Sequence, residues 1–223
     1  MPDPLFELPC PFDIETGTVK LLENSDCDPE SLKQQLLSGH YGKPFLIEHD
    51  NLLTLYFSLG LVQSTMRLNQ PDVLDLTYTQ KMMAFLLFYP RPKGLLLLGL
   101  GGGSLAKFCY RHLPRADITA VEINPHVVAF REAFRNLVGD KAGYDPSLAQ
   151  LAHVFDDRVL SLKVRDGGNQ IAFAFKNPGF MPRWDNIQSA ARDLEKRLGM
   201  PFTRYAQLLE KSERRTGLRH RRS

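Results

Sequence analysis

The sequence predicts an α/β protein in which a small antiparallel β-domain precedes a parallel α/β domain. Two strand-like runs, 44–48 and 52–57, flank the turn residues His49-Asp50-Asn51, which is the pattern of a β-hairpin. Further along, a continuous apolar run over 94–99 leads into a cluster of glycines. This pattern is typical of a strand buried on both faces of a parallel sheet. The composition, with 43% apolar and 24% charged residues, is that of a globular protein with a core.

The predicted β-domain covers residues 41–77. Residues 1–40 are rich in Pro, Asp and Glu and predict an irregular N-terminal segment with one short helix over Ser31–Leu37. Residues Gly60–Arg67 extend the hairpin into a small antiparallel sheet, and Pro71–Thr77 reads as an extended linker.

A nucleoside-binding α/β domain is predicted over residues 78–200. It opens with an apolar helix over Tyr78–Tyr89 that ends before Pro90, since proline cannot continue a helix. The strand at 94–99, a helix over Ser104–His112, a strand over Asp117–Glu122 and a helix from Asn124 to about Arg135 then form one β-α-β-α unit.

The regular alternation stops after Arg135. The remaining sequence predicts a short strand at 136–138, a helix at 146–155 and a hairpin of the runs 158–164 and 169–176. Two amphipathic helices follow at 183–198 and 202–214. The sequence predicts a C-terminal helix with a basic tail over residues 201–223.

The glycine cluster and the acid on the next strand carry the functional signal. Gly99, Gly101 and Gly103 allow a tight turn and close backbone approach of a ligand, and the following helix presents free N–H groups there. Glu122 ends the second strand, 19 residues after Gly103, where a carboxylate accepts hydrogen bonds from ribose hydroxyls. This predicts a nucleoside ligand. Ser104 stands where the dinucleotide pattern needs its last glycine, so the loop favours an S-adenosylmethionine-type ligand and leaves NAD open.

Three stretches of the chain resemble the spermidine synthase family, the polyamine aminopropyltransferases. Leu55–Gln63 followed by Tyr78 is similar to the family's substrate-gating segment, Leu95–Ser104 to its cofactor loop, and Val121–Pro125 to the strand end with the ribose acid. The resemblance covers about residues 45–135. It implies that the second domain is Rossmann-like, of the S-adenosylmethionine methyltransferase type.

The resemblance also implies a reaction. Decarboxylated S-adenosylmethionine donates an aminopropyl group to a diamine such as putrescine, which gives spermidine and methylthioadenosine. The co-substrate, decarboxylated S-adenosylmethionine or S-adenosylmethionine itself, would be held by a set of five residues, and Tyr78 would bind the polyamine. That set is Gln63, Gly99, Gly101, Gly103 and Glu122.

The chain departs from the family pattern, and the departures concern catalysis. Gly102 stands where the loop usually carries an aspartate, and Tyr78 is followed by Thr79 and Gln80 in place of histidine and glutamate. Two βα units of ~30 residues each are missing after Arg135. The family's catalytic aspartate lies in that missing part, so the catalytic residue of this chain is unknown.

No other acid replaces that aspartate convincingly. The acids considered are all explained as ordinary turn or strand-end residues: Asp140, Asp156, Asp157 and Asp166. Two alternatives therefore stand beside the aminopropyltransferase: an S-adenosylmethionine-dependent methyltransferase, and a non-catalytic protein that binds a nucleoside or a partner.

Charge and cysteine content limit the other classes. The net charge of +3 arises in the tail after Lys211, so the body of the protein is not built for nucleic acid. The three cysteines lie far apart and the six histidines show no ligand spacing, so we expect neither disulfides nor a metal. We expect a cytoplasmic protein without membrane contact. A sheet without its middle strands would leave an exposed apolar face or an unpaired edge, which predicts a homodimer, a loosened structure or poor solubility.

Overall fold

The computed structural model describes residues 5–12, 16–130, 158–164, 170–177 and 179–216. Side chains are described for the same residues except Leu61 and 214–216. The chain divides into two compact units. The first contains residues 1–75 and 94–143, and the second contains residues 76–93 and 144–223. The predicted domain boundaries at residues 41, 78 and 201 stay predictions.

A five-stranded antiparallel sheet forms the centre of the first unit. Its strands follow one another in chain order, so each pairs with its sequence neighbour. They are β1 (Phe6–Pro9), β2 (Thr18–Leu21), β3 (Phe45–His49), β4 (Leu52–Ser58) and β5 (Leu61–Arg67). Helix α1 (Pro29–Leu37) lies between β2 and β3 in the chain, and the carboxylate of Asp28 caps it by accepting from the Ser31 N–H.

Both faces of this sheet are buried, because neighbouring residues of a strand point to opposite sides. Phe45 and Ile47 of β3 join an apolar cluster with residues of β1, β2 and α1. Leu46, between them, joins a second cluster with residues of β4 and β5 and with Phe130. The sheet therefore supports a layer of structure on each side.

The prediction of an irregular segment over residues 1–40 is wrong. Strands β1 and β2 occupy part of it, and Val19 and Leu21 are fully buried. Each strand has four residues, which is too short for a periodic signal to stand out among the charged and proline residues. The predicted helix at 31–37 is confirmed. The hairpin is confirmed as well, since Asp50 and Asn51 take φ values of 47° and 63° in its two-residue turn.

The rest of the first unit is a β-α-β unit of parallel strands. Strands β6 (Gly94–Leu98) and β7 (Asp117–Val121) pair in parallel, with Leu98 opposite Val121. Helix α3 (Ser104–His112) connects them, and helix α4 (Pro125–Ala129) follows β7. Together with the antiparallel sheet, this β-α-β unit confirms the predicted α/β fold class and the predicted Rossmann-like character of the segment that contains it.

Strand β6 is not buried on both faces, which corrects the prediction for the run 94–99. Leu96 is 64% exposed and Leu98 is 58% exposed. Among the described residues β6 and β7 form a sheet of two strands only, so there is no described element to cover this face. The exposed leucines agree with the predicted apolar face, and the shortening of the sheet stays a prediction.

The second unit contains helices around a hairpin. Helix α2 (Thr77–Met82) continues as a 3₁₀ helix (Met83–Leu87), and β8 (Val159–Lys163) pairs antiparallel with β9 (Gln170–Ala174). Helices α5 (Trp184–Leu198) and α6 (Phe202–Thr216) complete the unit. The predicted helix 78–89 is thus only partly α-helical, since the chain tightens into a 3₁₀ turn before Pro90.

The predicted hairpin and the two C-terminal helices are confirmed. The indole Nε1–H of Trp184 on α5 donates to the buried carboxylate of Glu213 on α6 over 2.6 Å. The predicted strand at 136–138, the helix at 146–155 and the tail after 216 lie outside the described residues. In the described part of the chain, no helix has the length and apolar character that a membrane span requires.

The two leucine environments of the first unit predict contrasting stability effects. Leu55 is fully buried in the sheet, so Leu55→Ala should lower the free energy of unfolding by about 2–5 kcal/mol. Leu37→Ala, at a 51% exposed leucine of α1, is the matched control and should change it by less than about 0.5 kcal/mol. Urea unfolding followed by circular dichroism measures both. Equal losses for the two variants would contradict burial of Leu55 as the cause of its effect.

Candidate functional site

The glycine loop between β6 and α3 has the backbone geometry that only glycine takes without strain. Gly99, Gly101 and Gly103 have φ values of 91°, 52° and 72°, all in the left-handed region. Gly102 lies between them without a positive φ. The three glycines assigned from the sequence are therefore the three that the turn requires.

The carboxylate of Glu122 lies against this loop. Its Oε2 accepts hydrogen bonds from the backbone N–H of Leu100 at 2.8 Å and of Gly101 at 3.4 Å. Its Oε1 accepts from the N–H of Asn124 at 2.8 Å, at the start of α4. The predicted ribose acid thus also fixes the conformation of the loop, a role that the sequence did not indicate.

Glu122 retains capacity for a ligand. An ionised carboxylate has about four acceptor positions, and backbone N–H groups use three of them. A ligand with two hydroxyl groups would need one more position. The 3.4 Å bond from Gly101 is the longest of the three, so it is the one that such a ligand would displace.

Strand β5 of the antiparallel sheet holds the loop from the other side. The hydroxyl of Ser104, the first residue of α3, donates to the Thr65 carbonyl at 3.0 Å and lies 3.1 Å from the Ser64 hydroxyl. A Cβ on Gly101 would lie 3.5 Å from the Cβ of Ser64. The loop is therefore fixed to β5 by buried hydrogen bonds as well as by packing.

Gln63 lies beside this contact, at an irregularity of the sheet. Leu55 pairs with Ser64 and Tyr56 pairs with Val62, so Gln63 is the extra residue of a β-bulge in β5. Bulges redirect side chains and occur often beside functional sites. The structure thus brings Gln63 next to the residue that contacts the loop.

Tyr78 belongs to the second unit, on helix α2. Burial raises the pKa of its phenol, which therefore stays protonated at neutral pH. The structure brings the glycines and Glu122 into contact in the first unit, and Gln63 directly precedes Ser64, which contacts the loop. The substrate role of Tyr78 stays a prediction.

Two residues around the loop were not predicted from the sequence. Ser64 and Lys107 are both buried, and both contact the glycine loop or its helix. A signal for Lys107 exists: Ser104, Lys107 and Phe108 have the i, i+3, i+4 spacing of one helix face. All three are buried.

Catalytic and metal candidates remain unassigned. The acids considered from the sequence (Asp140, Asp156, Asp157 and Asp166) lie outside the described residues. Within the part of the chain that the structure describes, no cluster of histidine, cysteine or acidic side chains could hold a metal ion.

The fold and the site together define a class: an α/β protein with an antiparallel sheet and a Rossmann-like unit whose glycine loop is held by the acid of the next strand. The polyamine aminopropyltransferase of Chromobacterium violaceum is 27% identical over 235 aligned positions, which include 76% of this chain and 90% of that protein. The one from Neisseria meningitidis serogroup A is 42% identical over 83 residues, 37% of this chain but only 32% of its own length. The chain is therefore similar in sequence to polyamine aminopropyltransferases, as its motifs predicted.

The longer of these alignments also gives the number of positions of the relative that have no aligned residue in this chain. The 76% of a 223-residue chain is about 170 residues, which are spread over 235 aligned positions. About 65 positions of the Chromobacterium protein therefore have no residue of this chain opposite them. This agrees in size with the predicted loss of two βα units at ~30 residues each. The position of the gap after Arg135 stays a prediction.

Other proteins share shorter stretches or parts of the fold. An eEF1A lysine and N-terminal methyltransferase homolog of Drosophila melanogaster is 47% identical over 49 residues, 22% of this chain and 7% of its own length. Human methyltransferase-like protein 13 in complex with SAH overlaps with 56% of this chain and 94% of its own at a TM-score of 0.41 and 19% identity. A probable spermidine synthase from Corynebacterium glutamicum overlaps with 60% and 43% at 0.34, also at 19% identity. No family model matches the chain.

The loop contacts of Glu122 predict a loss of stability when its charge is removed. Glu122→Gln should lower the free energy of unfolding by about 1–3 kcal/mol, because an amide offers one acceptor oxygen where the carboxylate offers two. Urea unfolding measures this change. Glu30→Gln, at an exposed site, is the control and should change stability by less than about 0.5 kcal/mol. A neutral effect of Glu122→Gln would show that the carboxylate does not hold the loop.

Proposed function

We propose that this protein binds the nucleoside co-substrate of a spermidine synthase-like reaction at the glycine loop. The candidate ligands are decarboxylated S-adenosylmethionine, S-adenosylmethionine and methylthioadenosine. The observation that supports this most directly is the contact of Glu122 with the loop, at the carboxyl ends of two parallel strands. Ligands of open α/β sheets bind outside those strand ends.

The described geometry supplies what such a ligand needs. The positive φ angles leave the loop backbone open to close approach, and Glu122 can accept from a ribose hydroxyl. Gly103, the N-cap of helix α3, makes no side-chain hydrogen bond to the first N–H groups of that helix, which begins at the same loop. Gln63 would bind the co-substrate from the bulge in β5, and Tyr78 would bind the amine.

We propose further that catalysis of aminopropyl transfer is lost or strongly reduced. The reaction is the attack of an amine on the carbon beside a sulfonium centre, with breakage of the carbon–sulfur bond and release of methylthioadenosine. It needs a group that accepts the proton of the amine and an alignment of the two substrates. The aspartate that does this in the family would lie in the segment that we predict to be missing after Arg135, and its expected length agrees with the total of about 65 unmatched positions in the Chromobacterium alignment.

Calorimetric titration tests the binding proposal. We expect at least one of the three ligands to bind the wild-type chain, and Glu122→Ala to weaken that binding at least tenfold, since it removes an acceptor for the ribose. The exposed-site variant Glu30→Ala should bind as wild type does. Absence of heat for all three ligands with folded wild-type protein would overturn the proposal.

Product analysis tests the catalytic part. Incubation with putrescine and decarboxylated S-adenosylmethionine should give no spermidine above the uncatalysed rate. Rapid spermidine formation would refute the proposed loss of catalysis and make the protein an aminopropyltransferase.

Methyl transfer is a second candidate, favoured by the 49-residue match to the Drosophila methyltransferase homolog. It predicts consumption of S-adenosylmethionine with formation of S-adenosylhomocysteine when a methyl acceptor is present. Parallel incubations with each of the two donors decide between the reactions. Aminopropyl transfer consumes decarboxylated S-adenosylmethionine, and methyl transfer consumes S-adenosylmethionine.

We also propose that the protein is a homodimer and acts in the cytoplasm on small polyamine substrates. The exposed leucines of β6 support the dimer, because an apolar sheet face gains stability when another surface covers it. Light scattering should give twice the mass of 25.3 kDa for the wild type and the single mass for Leu98→Glu. Leu37→Glu, at an exposed leucine of α1, is the control. A monomeric wild type would contradict the dimer.

A further inference from the structure

Lys107 lies beneath the glycine loop, although a lysine on a helix usually reaches solvent. Only 7% of the surface of Lys107 is exposed. Its Nζ is 3.4 Å from the carbonyl oxygen of Gly102 and 2.7 Å from the Sδ of Met66 on β5. Its Cε lies 3.9 Å from the point where a Cβ on Gly103 would be. The ammonium group therefore lies between the loop and the antiparallel sheet.

A charge in this position is costly for the fold. Removing an ammonium group from water is unfavourable, and an apolar side chain of similar length would fill the same space without that cost. What the charge adds is an ionised donor 3.4 Å from a carbonyl of the loop, a long hydrogen bond that the charge strengthens relative to one from a neutral donor.

The contact with Gly102 fixes one peptide plane of the loop. The carbonyl of Gly102 and the N–H of Gly103 belong to the same planar peptide group. Lys107 holds the carbonyl, and the N–H donates to the Leu100 carbonyl at 2.9 Å. Glu122 holds the N–H groups of Leu100 and Gly101. One cation and one anion therefore hold different peptide groups of the same short turn.

We propose that Lys107 is a positioning residue that holds the glycine loop, through the Gly102 carbonyl, in the conformation that binds the nucleoside. The inference rests on the function proposed above for the ligand, but its effect on the loop can be measured without any ligand. Lys107 acts through the backbone of the loop and need not touch the nucleoside.

This role has a pH signature. Burial lowers the pKa of Lys107 to about 8, so the ammonium becomes a neutral amine, a weaker donor, as the pH rises through that value. Loop order and affinity for an uncharged nucleoside should therefore both fall above about pH 8. Other charged or titratable groups on α3 and on the segments packed against it are Arg67, Cys109, Tyr110, Arg111, His112, Asp117 and Glu122. Any effect of theirs persists in a Lys107 variant, so the difference between the two pH profiles isolates Lys107.

Hydrogen exchange measured by mass spectrometry tests the loop directly. In Lys107→Met, which has a similar shape but no donor, we expect exchange of the segment 99–104 to be about tenfold faster than in wild type at pH 7. Lys81→Met is the matched control, because Lys81 is equally buried and donates to the Lys163 carbonyl at 2.9 Å in the second unit. Equal loop exchange in wild type and Lys107→Met would overturn the proposal.

Binding of methylthioadenosine, which is uncharged, supplies the second measurement. Wild type should bind more weakly at pH 9.5 than at pH 7, and Lys107→Met should bind about tenfold more weakly at pH 7 with a flatter profile. Lys107→Arg, which stays charged, should retain affinity at both pH values if the exchange of its loop matches wild type. Parallel pH profiles for wild type and Lys107→Met would refute the role in binding. If wild type binds no nucleoside, the proposed function fails, and the exchange experiment alone decides whether Lys107 holds the loop.

Discussion

Burial of the antiparallel sheet on both faces is the constraint on which the first unit depends. One face packs on α1, and the other packs against the segment that follows β7, through contacts such as Leu46 with Phe130. In a doubly wound protein, a long parallel sheet would support the helices. Here the strands β3 to β5 provide that support, and only two parallel strands are described. The sheet thus explains how a short β-α-β unit can keep its loop in place.

The contacts that hold the glycine loop explain how the proposed nucleoside binding could exist without the predicted catalytic segment. The loop is held by β5 through Ser64 and Thr65, by Glu122 from the end of β7, and by Lys107 from below. All of these contacts are made by residues up to Glu122, before the predicted position of the gap after Arg135. The proposed nucleoside site therefore does not depend on the segment in which the family's catalytic aspartate is predicted to lie. Leu96 and Leu98 of β6 are exposed.

The parts predicted correctly from the sequence depend on local patterns. The Asp50-Asn51 turn, the positive φ positions of the glycine loop and the position of Glu122 each follow from a few neighbouring residues. The wrong predictions concern segments whose structure depends on residues that are distant in the sequence. Strand β1 pairs with β2, and β2 pairs with β3 more than 25 residues further along the chain, so its short pattern carried no signal of its own. Leu96 has the sequence pattern of a buried residue, yet it is 64% exposed, because burial depends on which elements pack on the strand and the run of leucines does not specify them.

A crystal structure of the chain with methylthioadenosine tests the central claim most directly. The account predicts the ribose within hydrogen-bond distance of the Glu122 carboxylate, with the bond from the Gly101 N–H lengthened or lost and the loop glycines unchanged in φ. A nucleoside bound elsewhere, or a ribose with no contact to Glu122, would contradict it.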